Sequence, residues 1–74
     1  MFKLIVTLKN GGHKIMRMSR EVVAHIVHLY EKMMKDIFSK KFSVEVGGEL
    51  LILNDCARLK FVDESTRTEF LTLG

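Results

Sequence analysis

The chain has 74 residues, of which 47% are hydrophobic and 28% charged, and its formal net charge is +3. This composition is typical of a folded globular domain and excludes a disordered chain. No apolar stretch approaches the ~20 residues needed to cross a bilayer, and the N-terminus lacks the pattern of a secretory signal. We expect one small domain, residues 1–74, located in the cytoplasm and without membrane association.

A domain of this size gains limited stability from its own core, because folding buries only about 60% of the surface that the unfolded chain exposes. Disulfides, metals or oligomerisation commonly supply additional stability. The single cysteine, Cys56, excludes an internal disulfide and indicates a reducing compartment. The sequence therefore favours self-association.

The charges are distributed unevenly along the chain. Residues 1–41 contain nine Lys or Arg and three acidic residues, a net charge of +6, whereas residues 42–74 contain three and six, a net charge of −3. Such an asymmetry suits a nucleic-acid-binding face. It suits self-association equally well, because opposite ends of two copies attract each other.

The first elements predicted along the chain are two strands. Residues 2–9 alternate apolar and polar side chains, and residues 10–12 (Asn-Gly-Gly) favour a turn before a returning strand. A three-residue loop that pairs Lys9 with His13 gathers the apolar side chains on one face. We therefore predict an antiparallel hairpin that ends near Met18.

A long helix is predicted next. Ser19 is a suitable N-cap, and the pattern predicts a helix from about Arg20 to Ser39. One stripe of this helix is apolar, and it consists of Val23, Ile26, Val27, Tyr30, Met34, Ile37 and Phe38. Val22 and Leu29 widen the stripe along one flank, which predicts either a second contact surface or packing beneath the C-terminal segment.

The second half of the chain predicts further strands. Residues 42–46 alternate, Gly47-Gly48 turns the chain, and a two-residue loop places Val44 opposite Leu51. Residues 57–62 alternate as another strand.

Residues 68–73 favour a last strand because of their threonines, although a short helix from Asp63 is the alternative. The predicted element order is β-β-α-β-β-β. We predict an α+β fold, a mainly antiparallel sheet of five or six strands with one long helix on one face.

The run Leu50-Leu51-Ile52-Leu53 indicates a strand that is covered on both faces, because a half-buried strand alternates apolar with polar residues. One helix covers only one side of a sheet. We predict an uncovered apolar centre with charged residues around it, as in protein–protein interfaces. The centre consists of Ile5, Ile15, Leu50 and Ile52, and the surround of Lys3, Arg17, Glu45, Arg58 and Lys60. The alternative is that the sheet curls or that its last segment covers this face.

No cluster of residues predicts an enzyme or a cofactor site. Glu21, His25 and His28 share one face of the helix and could bind a divalent metal if His13 or a second copy completed the ligands; we interpret them as a solvated polar face. Cys56 has no assigned base, so we interpret it as a small buried hydrophobic residue. We predict no catalytic residues, no metal and no cofactor.

Nucleic-acid binding is the competing hypothesis, in which the first hairpin and the start of the helix lie along phosphates. The candidate contacts are Lys9, His13, Lys14, Arg17 and Arg20. The aromatic residues fall mostly at predicted core positions and leave no stacking platform for single strands.

We therefore predict a non-enzymatic protein-interaction module that self-associates as a homodimer. It would act by binding an unidentified partner protein, in an accessory or regulatory role. The predicted interface residues are Ile5, Ile15, Leu50, Ile52, Val22 and Leu29, and a small basic nucleic-acid-binding protein is the alternative.

Overall fold

The computed structural model describes residues 1–74 and contains six strands, one α-helix and one 3-10 turn. The elements are β1 (Phe2–Leu8), β2 (His13–Met18), α1 (Arg20–Lys35), β3 (Ser43–Val46), β4 (Glu49–Ile52), the 3-10 turn Leu53–Asp55, β5 (Cys56–Asp63) and β6 (Thr68–Leu73). The α+β class and the order β-β-α-β-β-β are confirmed. The last segment is a strand and not a short helix.

The six strands form two antiparallel sheets. Four of them pair in the order β2-β1-β5-β6, and β3 pairs only with β4. The strand after β4 is β5, and both edges of β5 are already paired, one with β1 and the other with β6. β4 therefore cannot pair with β5 and pairs with β3 instead. The β3–β4 hairpin instead buries Val44, Val46 and Leu51 in the same core as the four-stranded sheet.

The β1–β2 hairpin has a loop of the predicted length at a different position. Thr7 pairs with His13, and the loop is residues 9–11, one residue earlier than expected. Gly11 has a φ of +92°, and the Gly12 amide donates to Asn10 Oδ1 at 2.8 Å. Because the register differs from the prediction by two residues, each side chain keeps its predicted face.

The helix ends four residues earlier than predicted. Its C-cap is Asp36, whose backbone amide donates to the Met33 carbonyl at 3.2 Å. The Asp36 carboxylate accepts a hydrogen bond from the Lys40 amide at 2.7 Å, which draws the chain away from the helix axis. Ile37 and Phe38 therefore leave the apolar stripe and lie in the loop that follows.

The core lies between the two sheets and the helix. It consists of Leu4, Val6, Met16, Met18, Val23, Ile26, Val44, Val46, Leu51, Leu53, Cys56, Leu59 and Phe61. Leu59 and Phe61 point inward, as predicted from the alternation of β5. No polar or charged residue is buried.

The turn between β5 and β6 is stabilised by Asp63. Its Oδ1 accepts hydrogen bonds from the Ser65 hydroxyl at 2.7 Å and from the Ser65 amide at 2.9 Å. These bonds, the hydroxyl first, lower the pKa of the Asp63 carboxyl. The carboxylate thus favours the folded state above its ordinary pKa of 3.8, and this contribution is lost as the pH falls through the lowered value.

We expect Ser65→Ala to raise the pKa of Asp63 toward its ordinary value, because the substitution removes the strongest of these hydrogen bonds. The measurement is a pH titration of the side-chain carboxyl carbon by NMR. Thr66→Ala is the matched control, since Thr66 contributes only through its backbone. An unchanged Asp63 titration in Ser65→Ala would contradict this assignment.

Candidate protein-interaction surfaces

The first candidate surface is the side of the four-stranded sheet that faces away from the core, which we call the open face. Ile5 lies at its centre, with Ile15 opposite on β2 and Lys60 opposite on β5. The Ile15 side chain is 61% exposed. The helix and the β3–β4 hairpin both pack on the other side of this sheet, so the open face is uncovered, as the sequence predicted for Ile5 and Ile15.

The open face is predominantly basic. Its strands carry Lys3, Arg17, Arg58 and Lys60 at outward positions. Arg17 pairs with Glu64 at 3.0 Å, and Lys60 pairs with Glu69 at 3.7 Å. Lys3 and Arg58 have no carboxylate partner among the ion pairs of the chain. The surface therefore combines an aliphatic centre with unneutralised positive charge.

The second candidate surface is the outward side of the β3–β4 hairpin, which we call the hairpin face. It consists of Ser43, Glu45, Leu50 and Ile52, because Ser43 pairs with Ile52 and Glu45 pairs with Leu50. The placement of Leu50 and Ile52 beside Ile5 and Ile15 was wrong, since β4 does not belong to the four-stranded sheet.

Leu50 is 56% exposed, while Ile52 is half-buried. The prediction that both lie on the reverse side of β4 from Leu51 is confirmed by the pairing of Val44 with Leu51. Leu50 and Ile52 also line a groove of about 320 Å³ together with Leu8 and Lys14.

An ion pair also links the β3–β4 hairpin to the large sheet. Lys14 Nζ on β2 lies 3.0 Å from Glu49 Oε2 on β4. The side chains are 36% and 52% exposed, so solvent screens the attraction and the pair orients the hairpin more than it stabilises the fold.

A third exposed apolar feature is the apolar loop, which we define as Ile37 and Phe38 together with Met34 in the last turn of α1. The Ile37 and Phe38 side chains are each 83% exposed. Asn54 fixes the far end of this segment, since its side chain accepts from the Phe42 amide at 2.8 Å and donates to the Lys40 carbonyl at 3.1 Å. The sequence pattern did not predict this surface, because neither Pro nor Gly marks the end of the helix.

The helix flank predicted as a contact surface is only partly accessible. Val22 and Leu29 are half-buried and pack against the core. The helix approaches β3 and the 3-10 turn most closely, and its first turn also lies beside β6, where Arg20 and Val23 line a groove with Thr68 and Phe70. Little of either side chain is left for a second molecule.

The five cations of the nucleic-acid hypothesis do not form one surface. His13 and Arg17 occupy outward positions on β2, whereas Lys14 points toward the hairpin and pairs with Glu49. Lys9 lies in the β1–β2 loop, and Arg20 lies at the start of α1 beside Phe2 and Phe70. Arg17 is paired with Glu64, so two of the five already have carboxylate partners.

Cys56 is buried at the start of β5, and its thiol donates a weak hydrogen bond to the Ile52 carbonyl at 3.4 Å. Burial, followed by the neighbouring Asp55 carboxylate, raises the pKa of the Cys56 thiol. Both effects disfavour the thiolate, which is the reactive form.

We expect Cys56 in the folded protein to react with iodoacetamide at pH 8 at least tenfold more slowly than in the urea-unfolded chain. The measurement is the alkylation rate followed by mass spectrometry, with free cysteine in the same urea concentrations as the control. Equal rates in the folded and unfolded protein would mean that the thiol is accessible.

Glu21, His25 and His28 are exposed on α1. The structure brings no three His, Cys, Asp or Glu side chains together in a geometry able to hold a metal ion. Ser19 occupies the predicted N-cap position without a capping hydrogen bond from its side chain. The backbone amide of Glu21 and then the Ser19 hydroxyl lower the pKa of the Glu21 carboxyl, which is a local effect of the helix start.

No protein-family model matches the chain, and neither a curated protein nor a solved structure matches it. The helix α1 is too short and too polar to cross a bilayer.

Proposed function

We propose that this chain is a non-enzymatic protein-interaction module that self-associates, as a homodimer in the simplest case, and that binds a partner protein in an accessory or regulatory role. The observation that carries the proposal is the open face, where the exposed Ile15 lies opposite the half-buried Ile5 on an uncovered side of the sheet. Aliphatic side chains inside a charged surround are typical of protein interfaces. The exposed Leu50 adds a second apolar contact on the hairpin face.

Contacts between faces are favoured over pairing between strand edges. The β2 edge carries Arg17, and it carries Lys14 on its core side, where an inward-pointing charge opposes strand addition. The β6 edge is interrupted by a bulge, since Val62 pairs with Glu69 but Phe61 pairs with Leu71, which leaves Phe70 unpaired. Both edges of the large sheet are therefore poor templates for another strand.

Sedimentation equilibrium at several protein concentrations tests the proposal. We expect the wild-type chain to exceed the protomer mass, and we expect Ile15→Glu and Leu50→Glu each to return it to the monomer, because a buried unpaired carboxylate opposes association. Both side chains are exposed in the protomer, so neither change disrupts the core. A wild-type protein that stays monomeric up to millimolar concentration would refute self-association.

The apolar loop supports the binding of a partner protein. Two large aliphatic or aromatic side chains held out of the core by Asp36 and Asn54 resemble the anchor residues that dominate interface energetics. A photo-crosslinking residue at Met34 should capture one defined partner in cells that express the chain, and Phe38→Ser should abolish that capture. Placing the probe at the exposed Thr66 is the control.

The basic open face also favours nucleic-acid binding as a second candidate function. This hypothesis predicts binding to duplex or single strands that weakens steeply with salt, and a flatter salt dependence in Lys3→Ala and Arg58→Ala. No binding at low salt would exclude it. Lys32→Ala is the control, because it removes one exposed charge from the helix, which packs on the other side of the sheet from the open face.

A further inference from the structure

The open face and the hairpin face differ in charge, and this difference affects which surfaces of two copies can bind each other. The open face has four cations and two paired carboxylates at its margin, which leaves positive charge in excess. The hairpin face carries one charged residue, Glu45, and the groove beside it adds Asp55, Lys9 and Lys14, of which Lys14 is already paired with Glu49. One surface is therefore net positive and the other net negative.

Both surfaces also present an aliphatic pair. Ile5 and Ile15 are direct neighbours across β1 and β2 on the open face. Leu50 and Ile52 are alternate residues of β4 and share the hairpin face. The two aliphatic pairs are similar in size and can pack against each other. The opposite charges around them favour contact between an open face and a hairpin face over contact between two like faces.

On the two faces, three charged residues make no ion pair inside the protomer. Glu45 on the hairpin face makes no ion pair, and neither do Lys3 and Arg58 on the open face. We propose that the open face of one copy binds the hairpin face of a second copy, with Glu45 meeting the cations of β1 and β5. This inference rests on the proposed self-association and specifies which surfaces meet.

Contacts between like surfaces are disfavoured by the same charges. Two open faces packed on each other would bring the unpaired cations Lys3 and Arg58 of both copies into one interface. The apolar loop is no better suited to bind the open face, because Lys35, Lys40 and Lys41 lie near it in the chain and only one acidic residue, Asp36, accompanies them. Like charges brought together across an interface oppose association, and this selects the hairpin face.

Charge reversal on each surface tests the pairing. We expect Glu45→Lys and Arg58→Glu each to weaken self-association at least tenfold in sedimentation equilibrium, and to do so less at high salt. Glu31→Lys and Lys32→Glu on the helix are the matched controls, and they should leave the association constant within twofold. Circular dichroism checks that all four variants are folded.

Mixing the variants gives the decisive observation. The Glu45→Lys copy keeps an intact open face, and the Arg58→Glu copy keeps an intact hairpin face, so an equimolar mixture restores one complete contact. We expect the mixture to form a 1:1 complex at a protein concentration where each variant alone is monomeric.

The result separates this inference from the proposed function. A mixture that stays monomeric while the wild type associates would overturn the pairing of these two faces and leave self-association standing. A wild type that never associates would overturn both. Association that survives both reversals at wild-type strength would also overturn the pairing.

Discussion

Phe61→Ala is expected to remove a large share of the folding stability. Phe61 lies on β5 between β1 and β6, and its side chain is fully buried. Truncation of a buried Phe to Ala costs about 3–5 kcal/mol. A domain of this length has a total free energy of unfolding of roughly 4–11 kcal/mol. The variant should therefore unfold at much lower urea concentration, as measured by circular dichroism.

Phe70→Ala provides the matched control. Phe70 packs near the same core, with ring centroids 5.6 Å from Phe2 and 6.3 Å from Phe61, but its side chain is 47% exposed. Because half of the ring already contacts solvent, the expected cost is about 1–2 kcal/mol. Equal losses in the two variants would mean that β6 closes over the core more tightly than its exposure indicates.

The elements that could be predicted from the sequence are those in which local pattern and packing agree. Residues 42–53 are an example, since Gly47-Gly48 fixes a two-residue loop and thereby the pairing of Val44 with Leu51. The β1–β2 register was less determined, because a three-residue loop fits the Asn-Gly-Gly segment in two positions that keep the same side chains inward.

The candidate surfaces could be predicted only in part, and the reason is physical. Alternation along a strand indicates which residues share a face, and this was sufficient to place Ile5 and Ile15 on the side of the sheet that faces away from the core. It does not state which sheet a strand joins, and so Leu50 and Ile52 were assigned to the wrong sheet. The chain leaves the helix axis where the Asp36 carboxylate accepts a hydrogen bond from the Lys40 amide. The spacing of apolar residues cannot predict such a bond.

The separation of the two sheets explains why the chain presents surfaces of opposite charge. If β4 had joined the large sheet, Glu45 would have stood among the cations of that face and neutralised part of their charge. The β3–β4 hairpin instead carries its acidic residue on a separate surface, next to exposed Leu50. A chain with two complementary surfaces can associate without burying like charges.

Leu51 and Leu50 are adjacent, but their truncation should affect different properties. Leu51→Ala should lower folding stability, and Leu50→Ala should weaken self-association. Leu51 is 1% exposed and packs in the core, so its truncation should cost about 2–5 kcal/mol of folding stability. Leu50 lies on the hairpin face, so its truncation should change the stability of the monomer by about 0.5 kcal/mol or less. The same Leu50 change should weaken self-association at least tenfold.

Urea unfolding below the association threshold and sedimentation equilibrium together check this pair. The comparison is sharp because both variants remove the same atoms from the same strand, and only the face differs. If Leu50→Ala lowers the stability of the monomer as much as Leu51→Ala does, Leu50 is covered within its own protomer. The run of four aliphatic residues would then be satisfied inside one chain, and the hairpin face would have no part in association.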